Sequence, residues 1–301
     1  MTANTTRHTR CYSATAALAL TTLVAGGVTG CGASGTTGTT PSTSAAASAT
    51  PVPQMISTAG HRLAFYLTPG KSPAIVLDAG GGADSSYWQN LVPVLAKQTG
   101  REIVTYDRAG VGRSDEVPGP WKAQDAASDL EAGLTQLGIT QPVVLVSHSL
   151  AGEIATYFVD AHPDRVGAAV LIDANLPEFF TDTETAELVA ANQPQIAALE
   201  AQPSTKQNRQ LLAEAADYGP AHLAYHKMSW PQSVPAIAIV SATTPFDTPD
   251  DARLWKDAQA QFADAAPDRR LVVADNSSHD IPTDRPDVVV KAIKDVIEQV
   301  H

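Results

Sequence analysis

The chain is 301 residues long, with 44% hydrophobic, 17% charged and 6% aromatic residues, which is enough for one large domain or two small ones. Its formal net charge of -12, from 20 Lys+Arg against 32 Asp+Glu, argues against a nucleic-acid partner, because such proteins concentrate positive charge. The 20 Gly and 21 Pro argue against a coiled coil, and two cysteines, Cys11 and Cys31, are too few for a disulfide framework or a structural zinc site.

Arg7, His8 and Arg10 open the chain without an acidic residue, and residues 13–28 are apolar or small. A positive segment followed by a short apolar one is the pattern of a secretory signal. The run is too short and too rich in Gly and Thr to be a transmembrane helix. It ends in Val28-Thr29-Gly30-Cys31, which resembles the lipobox of bacterial lipoproteins. That resemblance implies cleavage before Cys31 and acylation of its sulfur, the thiolate being the nucleophile that takes the lipid. Residues 32–53 are almost entirely Gly, Ser, Thr, Ala and Pro, a composition that cannot bury apolar surface. The expectation is a signal over 1–30, a lipidated cysteine and linker over 31–53, and a domain over 54–301. Membrane lipid would then be a partner through Cys31, holding the protein on the extracytoplasmic face. The other reading is an ordinary cleaved signal with an incidental cysteine.

From residue 54 the pattern alternates. Short β-rich runs are predicted as strands at 62–67, 74–77, 102–106, 142–146, 168–172, 236–240 and 270–273. Several are continuously apolar, as a parallel strand buried on both faces must be. Helical spacing falls between them at 85–97, 122–137, 151–162, 249–262 and 287–300. Alternating strands and helices predict an α/β fold, with a mostly parallel sheet and helices on both faces. Residues 175–233 break the rhythm, with helical pieces near 185–199 and 206–216, and an insertion of that size predicts a cap.

The stretch Val143-Val144-Leu145-Val146-Ser147-His148-Ser149-Leu150-Ala151-Gly152 is a buried strand breaking directly into a helix. A nucleophile elbow needs small residues two before and two after the nucleophile, and Ser147 and Ala151 meet that requirement around Ser149. His148 is expected to pack or hydrogen-bond locally. Upstream, Asp78-Ala79-Gly80-Gly81-Gly82 follows an apolar strand and precedes Trp88, and Tyr106-Asp107-Arg108-Ala109-Gly110-Val111-Gly112-Arg113-Ser114 follows the next one. Together these motifs resemble the α/β-hydrolase superfamily over roughly 54–301. The resemblance implies the α/β-hydrolase fold with a helical cap inserted after the sixth strand. It implies an oxyanion hole from the N–H groups of Gly81 and Leu150, and shaping roles for Asp107, Gly110 and Gly112. The superfamily's usual His is Ala79 here, so its supporting bonds must come from elsewhere.

Late in the chain, Asp275-Asn276-Ser277-Ser278-His279-Asp280-Ile281-Pro282 is similar to the superfamily's histidine loop. Imidazole suits a group that must take and return a proton near neutral pH. The carboxylate that orients His279 has two candidate positions: Asp173 after the sixth strand, which is favoured, or Asp247 after the seventh. Asp250 and Asp251 read as helix caps following Pro249. His222 and His226, four apart, lack a third ligand pattern, so neither metal nor cofactor is expected.

The reading is a serine hydrolase of carboxylic esters with a Ser149–His279–Asp173 triad. Ser rather than Asp at the nucleophile disfavours epoxide hydrolase and dehalogenase chemistry. The cap residues Phe179, Phe180, Leu188, Ile196, Leu199, Tyr225, Met228 and Trp230 suggest an apolar small-molecule ester, or serve as cap core. The competing class is a non-catalytic surface lipoprotein that binds a ligand on a hydrolase-like fold.

Overall fold

The computed structural model describes residues 52–300; the expected signal, Cys31 and the linker up to residue 51 lie outside the described residues. The chain runs β1 (Gln54–Thr58), β2 (His61–Thr68), β3 (Lys71–Asp78), α1 (Leu91–Thr99), β4 (Arg101–Asp107) and α2 (Ala123–Gln136). It continues through β5 (Val143–His148), α3 (Ala151–Ala161), β6 (Val166–Ile172), α4 (Asp182–Glu200), α5 (Lys206–Ala215) and α6 (Tyr218–Tyr225). It closes with β7 (Ala236–Ser241), α7 (Pro249–Asp264), β8 (Arg269–Ala274), α8 (Ile281–Asp284) and α9 (Pro286–Ile297).

The strands form one eight-stranded sheet in the order β1-β2-β4-β3-β5-β6-β7-β8. β2 is antiparallel to both β1 and β4, and every pairing from β4 to β8 is parallel. This is the α/β-hydrolase fold. The strand period of two divides each central strand between two cores. Val76, Val104, Leu145, Leu171 and Ala238 face α2, α3 and α7. Ile75, Ile103, Val144, Val170 and Ile237 face α1 and α9. In the first layer Ile154, Phe158 and Val159 of α3 are fully buried, so the helix that starts at the elbow is clamped to the sheet. Carboxyl ends of β5 and β6 and the loop after β8 meet at one edge of the sheet, where a parallel α/β sheet gathers its loops.

Four local features differ from expectation. The helix expected over 85–97 is a 3₁₀ turn at Ser85–Trp88 followed by α1, with Pro93 tolerated in the first turn of α1. Thr248, not an aspartate, caps α7 by accepting from the Asp251 N–H; Asp250 and Asp251 occupy the first turn, where the helix dipole favours negative charge. The cap contains a third helix, α6, and the sheet a further strand, β1, that the sequence pattern did not suggest.

The excursion between β6 and β7 carries α4, α5 and α6. Its own core is Phe179, Phe180, Leu188 and Tyr225, packed on Val240 and Trp255 of the main domain. It is fastened to the loop after β4 by charged contacts. Lys206 Nζ donates to the carbonyls of Val111, Gly112 and Ser114, and Arg209 makes a bidentate pair with Glu116 at 2.7 and 2.8 Å. Gly110 has φ +87°, a backbone conformation that disfavours a side chain, and the amide end of Gln210 of α5 lies against it. No helix among the described residues is long and apolar enough to cross a membrane.

Candidate active site

Ser149 sits between the last residue of β5 and the first turn of α3 with φ 55°, a left-handed conformation costly for a non-glycine residue. The turn is held by its neighbours. Ser149 N–H donates to the Ile172 carbonyl at 3.1 Å, and the Ser149 carbonyl accepts from Gly152 and Asn175, each at 2.9 Å. Ser147 and Ala151 are buried, as the tight turn requires. Gly152 has even less room, because the backbone of Asn175 occupies the space a Cβ would need.

His279 Nε2 lies 2.9 Å from Ser149 Oγ, and its Nδ1 lies 2.7 Å from Asp173 Oδ2. The structure therefore brings Ser149, His279 and Asp173 into one hydrogen-bonded row. Asp247 is exposed and takes no part in it. Asp173 is fully buried, has φ 41°, and accepts three more bonds. Ser241 N–H donates to Oδ1 at 3.1 Å, Ser241 Oγ–H to Oδ2 at 2.7 Å, and Trp255 Nε1–H to Oδ1 at 2.8 Å. Burial alone would push this carboxyl's pKa up, but the bonds from His279, Trp255 and Ser241 outweigh it and hold the pKa below the ordinary value. Asp173 thus stays ionised and fixes the imidazole with its Nε2 towards serine.

The histidine loop is pinned from below. His148 Nε2–H donates to the His279 carbonyl at 3.0 Å, and its ring stacks on Tyr87 at 5.1 Å. Tyr87 O–H donates to Asp280 Oδ1 at 2.6 Å. Burial and the neighbouring His279 lower the His148 pKa to about 4, so it is a neutral donor at physiological pH.

Neither the Gly81 nor the Leu150 backbone N–H has an acceptor among the described residues. Gly81 packs against Leu150. The support that a histidine at position 79 would give comes from Arg108. Its guanidinium pairs with Asp78 at 2.6 Å and donates to the carbonyls of Ala79 at 2.5 Å and Gly80 at 2.6 Å. Tyr106 O–H donates to the other Asp78 oxygen at 2.7 Å. Asp107 shapes the adjoining turn, accepting from Ser85 N–H at 2.9 Å and Arg113 N–H at 2.8 Å. Sequence reasoning did not single out Arg108, although Ala79 already signalled a vacant supporting role.

Ser149 opens on two spaces. One is an open cleft of about 680 Å³ beneath the glycine loop, reaching Tyr87, Asp280 and Lys206. The other, about 280 Å³, lies under the cap. Of the apolar cap residues named from sequence, only Phe179 and Phe180 line the second space. Leu188 and Tyr225 are cap core, and Trp230 packs on Phe262 at the far end of the main core. Polar groups that the sequence did not announce line it instead: Glu153, Asn175, Glu214 and His222. His222 Nε2 meets Glu153 Oε1 at 3.1 Å, whereas His226 Nδ1 donates to the Pro177 carbonyl at 2.7 Å, so the two histidines share no ligand. Among the described residues, the carboxylates of Glu184, Glu187 and Asp251 could surround a cation, but none of them lines the space beside Ser149.

The family model described as "Alpha/beta hydrolase family" matches residues 75–292. A putative carbamate hydrolase, RutD of Caulobacter segnis, is 32% identical over 101 residues, covering 33% of this chain and 37% of its own. The aligned segments span only 18 to 40% of the first curated relatives' own lengths. Among solved structures, a thermophilic esterase from Thermogutta terrifontis superposes with TM-score 0.57 and 23% identity, over 83% of this chain and 98% of that one. A bromoperoxidase from Bacillus anthracis does so with TM-score 0.62 and 18% identity, over 82% and 99%. At such identities the superpositions speak for the fold.

Proposed function

The chain belongs to the alpha/beta hydrolase family, and on that premise we propose that it is a serine hydrolase cleaving carboxylic esters through an acyl-enzyme. The observation that carries this reading is the hydrogen-bonded row from Asp173 through His279 to Ser149, with Ser149 strained at the elbow. The Ser149 Oγ attacks the acyl carbon while its proton passes to His279 Nε2. The carbonyl electron pair moves onto oxygen, where the free N–H groups of Gly81 and Leu150 receive it. Collapse of this tetrahedral species breaks the bond to the alcohol, which leaves with the proton from His279. Water then repeats the two steps on the acyl-enzyme and regenerates Ser149. Asp173 keeps its charge throughout and steadies the imidazolium.

A fluorophosphonate probe tests the reading directly. The wild-type protein is expected to be labelled and Ser149→Ala unlabelled, with kcat on 4-nitrophenyl acetate reduced on the order of 10⁶-fold. Resistance of the wild type, or equal labelling of both, overturns it and favours the non-catalytic ligand-binding lipoprotein. We also read Cys31 as a lipid attachment site that tethers the enzyme to the extracytoplasmic face of a membrane. Cys31→Ser is expected to lose incorporation of a fatty-acid label, and persistence of the label removes that proposal.

A further inference from the structure

The cap-side cavity contains buried acceptors that the ester mechanism does not use. Glu153 lies one turn along α3 from Ser149 and is only 4% exposed. Its Oε1 accepts from Asn175 Nδ2 at 2.5 Å and from His222 Nε2 at 3.1 Å. Its Oε2 has no hydrogen-bond partner among the described residues. Both nitrogens of His222 face acceptors, the Tyr218 carbonyl at 2.7 Å and Glu153 Oε1 at 3.1 Å, an arrangement that favours a proton on each. Burial works against that charge, but the Glu153 carboxylate and the bonds from Glu153 and Tyr218 prevail and raise the His222 pKa. Glu153 thus has His222 on one oxygen, while its other oxygen still faces the cavity.

Glu214 approaches from the opposite wall, on α5. Its Oε1 accepts from Gln210 Nε2 at 3.0 Å, the Gly82 backbone N–H also donates to the carboxylate, and Oε2 lies beside Gly81. Burial raises its pKa, offset in part by Arg108, a cation already committed to Asp78 and two carbonyls. Asp217 adds a third carboxylate to the lining; Lys122, exposed to solvent, is the ammonium among the lining residues.

The walls between these carboxylates are aromatic. Aromatic residues make up 6% of the chain, yet Trp121, Tyr157, Tyr218 and Phe246 all line this one cavity and keep part of their surface exposed. Phe179 and Trp255 brace Phe246 at ring distances of 5.0 and 5.4 Å. A purely apolar group in this space would leave Glu153 Oε2 desolvated and unpaired, and the Glu214 carboxylate with only the neutral donors Gln210 and Gly82, which is unfavourable. A compact cation satisfies both features at once, since carboxylates and aromatic faces both attract it.

Building on the ester-hydrolase reading, we propose that the cap-side cavity receives an ammonium group carried by the substrate, with Glu153 and Glu214 as its specificity-determining side chains. The preferred substrates are therefore esters of amino alcohols or amino acids rather than simple alkyl esters.

The test compares choline with 3,3-dimethylbutan-1-ol, which replaces the quaternary nitrogen by carbon at the same shape. Both compete against 4-nitrophenyl acetate at matched ionic strength. Choline is expected to give an inhibition constant at least about 10-fold lower, and Glu214→Gln and Glu153→Gln are each expected to shrink that ratio at least about 3-fold. Equal inhibition by the two alcohols, or an unchanged ratio in both variants, overturns the proposal. Glu153→Gln removes a buried partner of His222, so Glu214→Gln, whose side-chain partner is the neutral amide of Gln210, carries the result if the first variant does not fold. The same pair is titrated into Ser149→Ala by tryptophan fluorescence. A choline preference there, without any turnover by the wild type, would sink the ester-hydrolase reading and leave the ammonium site standing. Turnover without a choline preference would do the reverse.

Discussion

On the sheet side of Ser149, Arg108 commits its guanidinium to Asp78 and to the carbonyls of Ala79 and Gly80; on the cap side, Glu153 and Glu214 each keep an oxygen towards the cavity. The two buried histidines follow the same division. His148, on the sheet side, is held neutral by burial, while for His222, on the cap side, the neighbouring Glu153 outweighs burial and raises the pKa. Polar groups on the sheet side are paired within the protein, and those that line the cap-side cavity retain capacity. The joints differ too. The sheet side rests on parallel strands and two apolar layers, whereas the cap is fastened partly by exposed pairs such as Arg209 with Glu116.

The contrast can be broken in four places, in descending order of effect. Asp173→Asn is expected to lower kcat on the order of 10⁴-fold, because the imidazole loses the partner that selects its tautomer, while Asp247→Asn stays within about 2-fold. Steady-state kinetics on 4-nitrophenyl acetate check both. Arg108→Met leaves Asp78 in the interior without its counter-ion, bonded only to the neutral Tyr106 hydroxyl, so unfolding by urea is expected to show a loss of about 3–5 kcal/mol. Adding Asp78→Asn is expected to restore much of that stability but not kcat, since the carbonyls of Ala79 and Gly80 still lack their donor.

The histidines should pull stability in opposite directions with pH. For His148 the folded pKa of about 4 lies below the ordinary 6.5. Its contribution is therefore complete above pH 6.5 and falls by about 3 kcal/mol as pH drops to 4. For His222 the folded pKa is raised, so its contribution is complete below the ordinary value and is lost as pH climbs through the folded pKa. Urea unfolding across pH, compared with His148→Gln and His222→Gln, separates the two slopes. A His148 slope that survives in His148→Gln would refute the assignment. Smallest of all, Arg209→Ala removes an exposed pair and is expected to cost under about 1 kcal/mol, with its effect on KM rather than kcat.

Most of the architecture was legible because buried parallel strands must be continuously apolar, as Val143–His148 and Val166–Ile172 are. The elbow was legible because its size constraint is local. The edge strand Gln54–Thr58 escaped notice because it is short and mostly exposed, and α6 because Gly219-Pro220 reads as a turn. Choosing between Asp173 and Asp247 was beyond the local pattern. The decision depends on Ser241 and Trp255, which lie 68 and 82 positions from Asp173 and meet it only in the folded chain. Glu153 was hidden for another reason: an acidic residue in a helix's first turn already has an ordinary explanation in the helix dipole. Glu214, on a polar helix, resembled any solvent-facing side chain.

The cap leaves the domain after β6 and returns at β7, and those two strands are neighbours in the sheet, paired from Ala169–Ala236 to Ile172–Ile239. Its two ends are consequently close together on a rigid frame. Such an insertion behaves as an exchangeable cassette: a lineage can lengthen, shorten or replace it without disturbing strand register. Of the residues around Ser149, the cassette carries Glu214 and His222 but neither His279 nor the glycine loop. Substrate choice can thus drift by recombination of one segment while the hydrolytic apparatus is inherited unchanged.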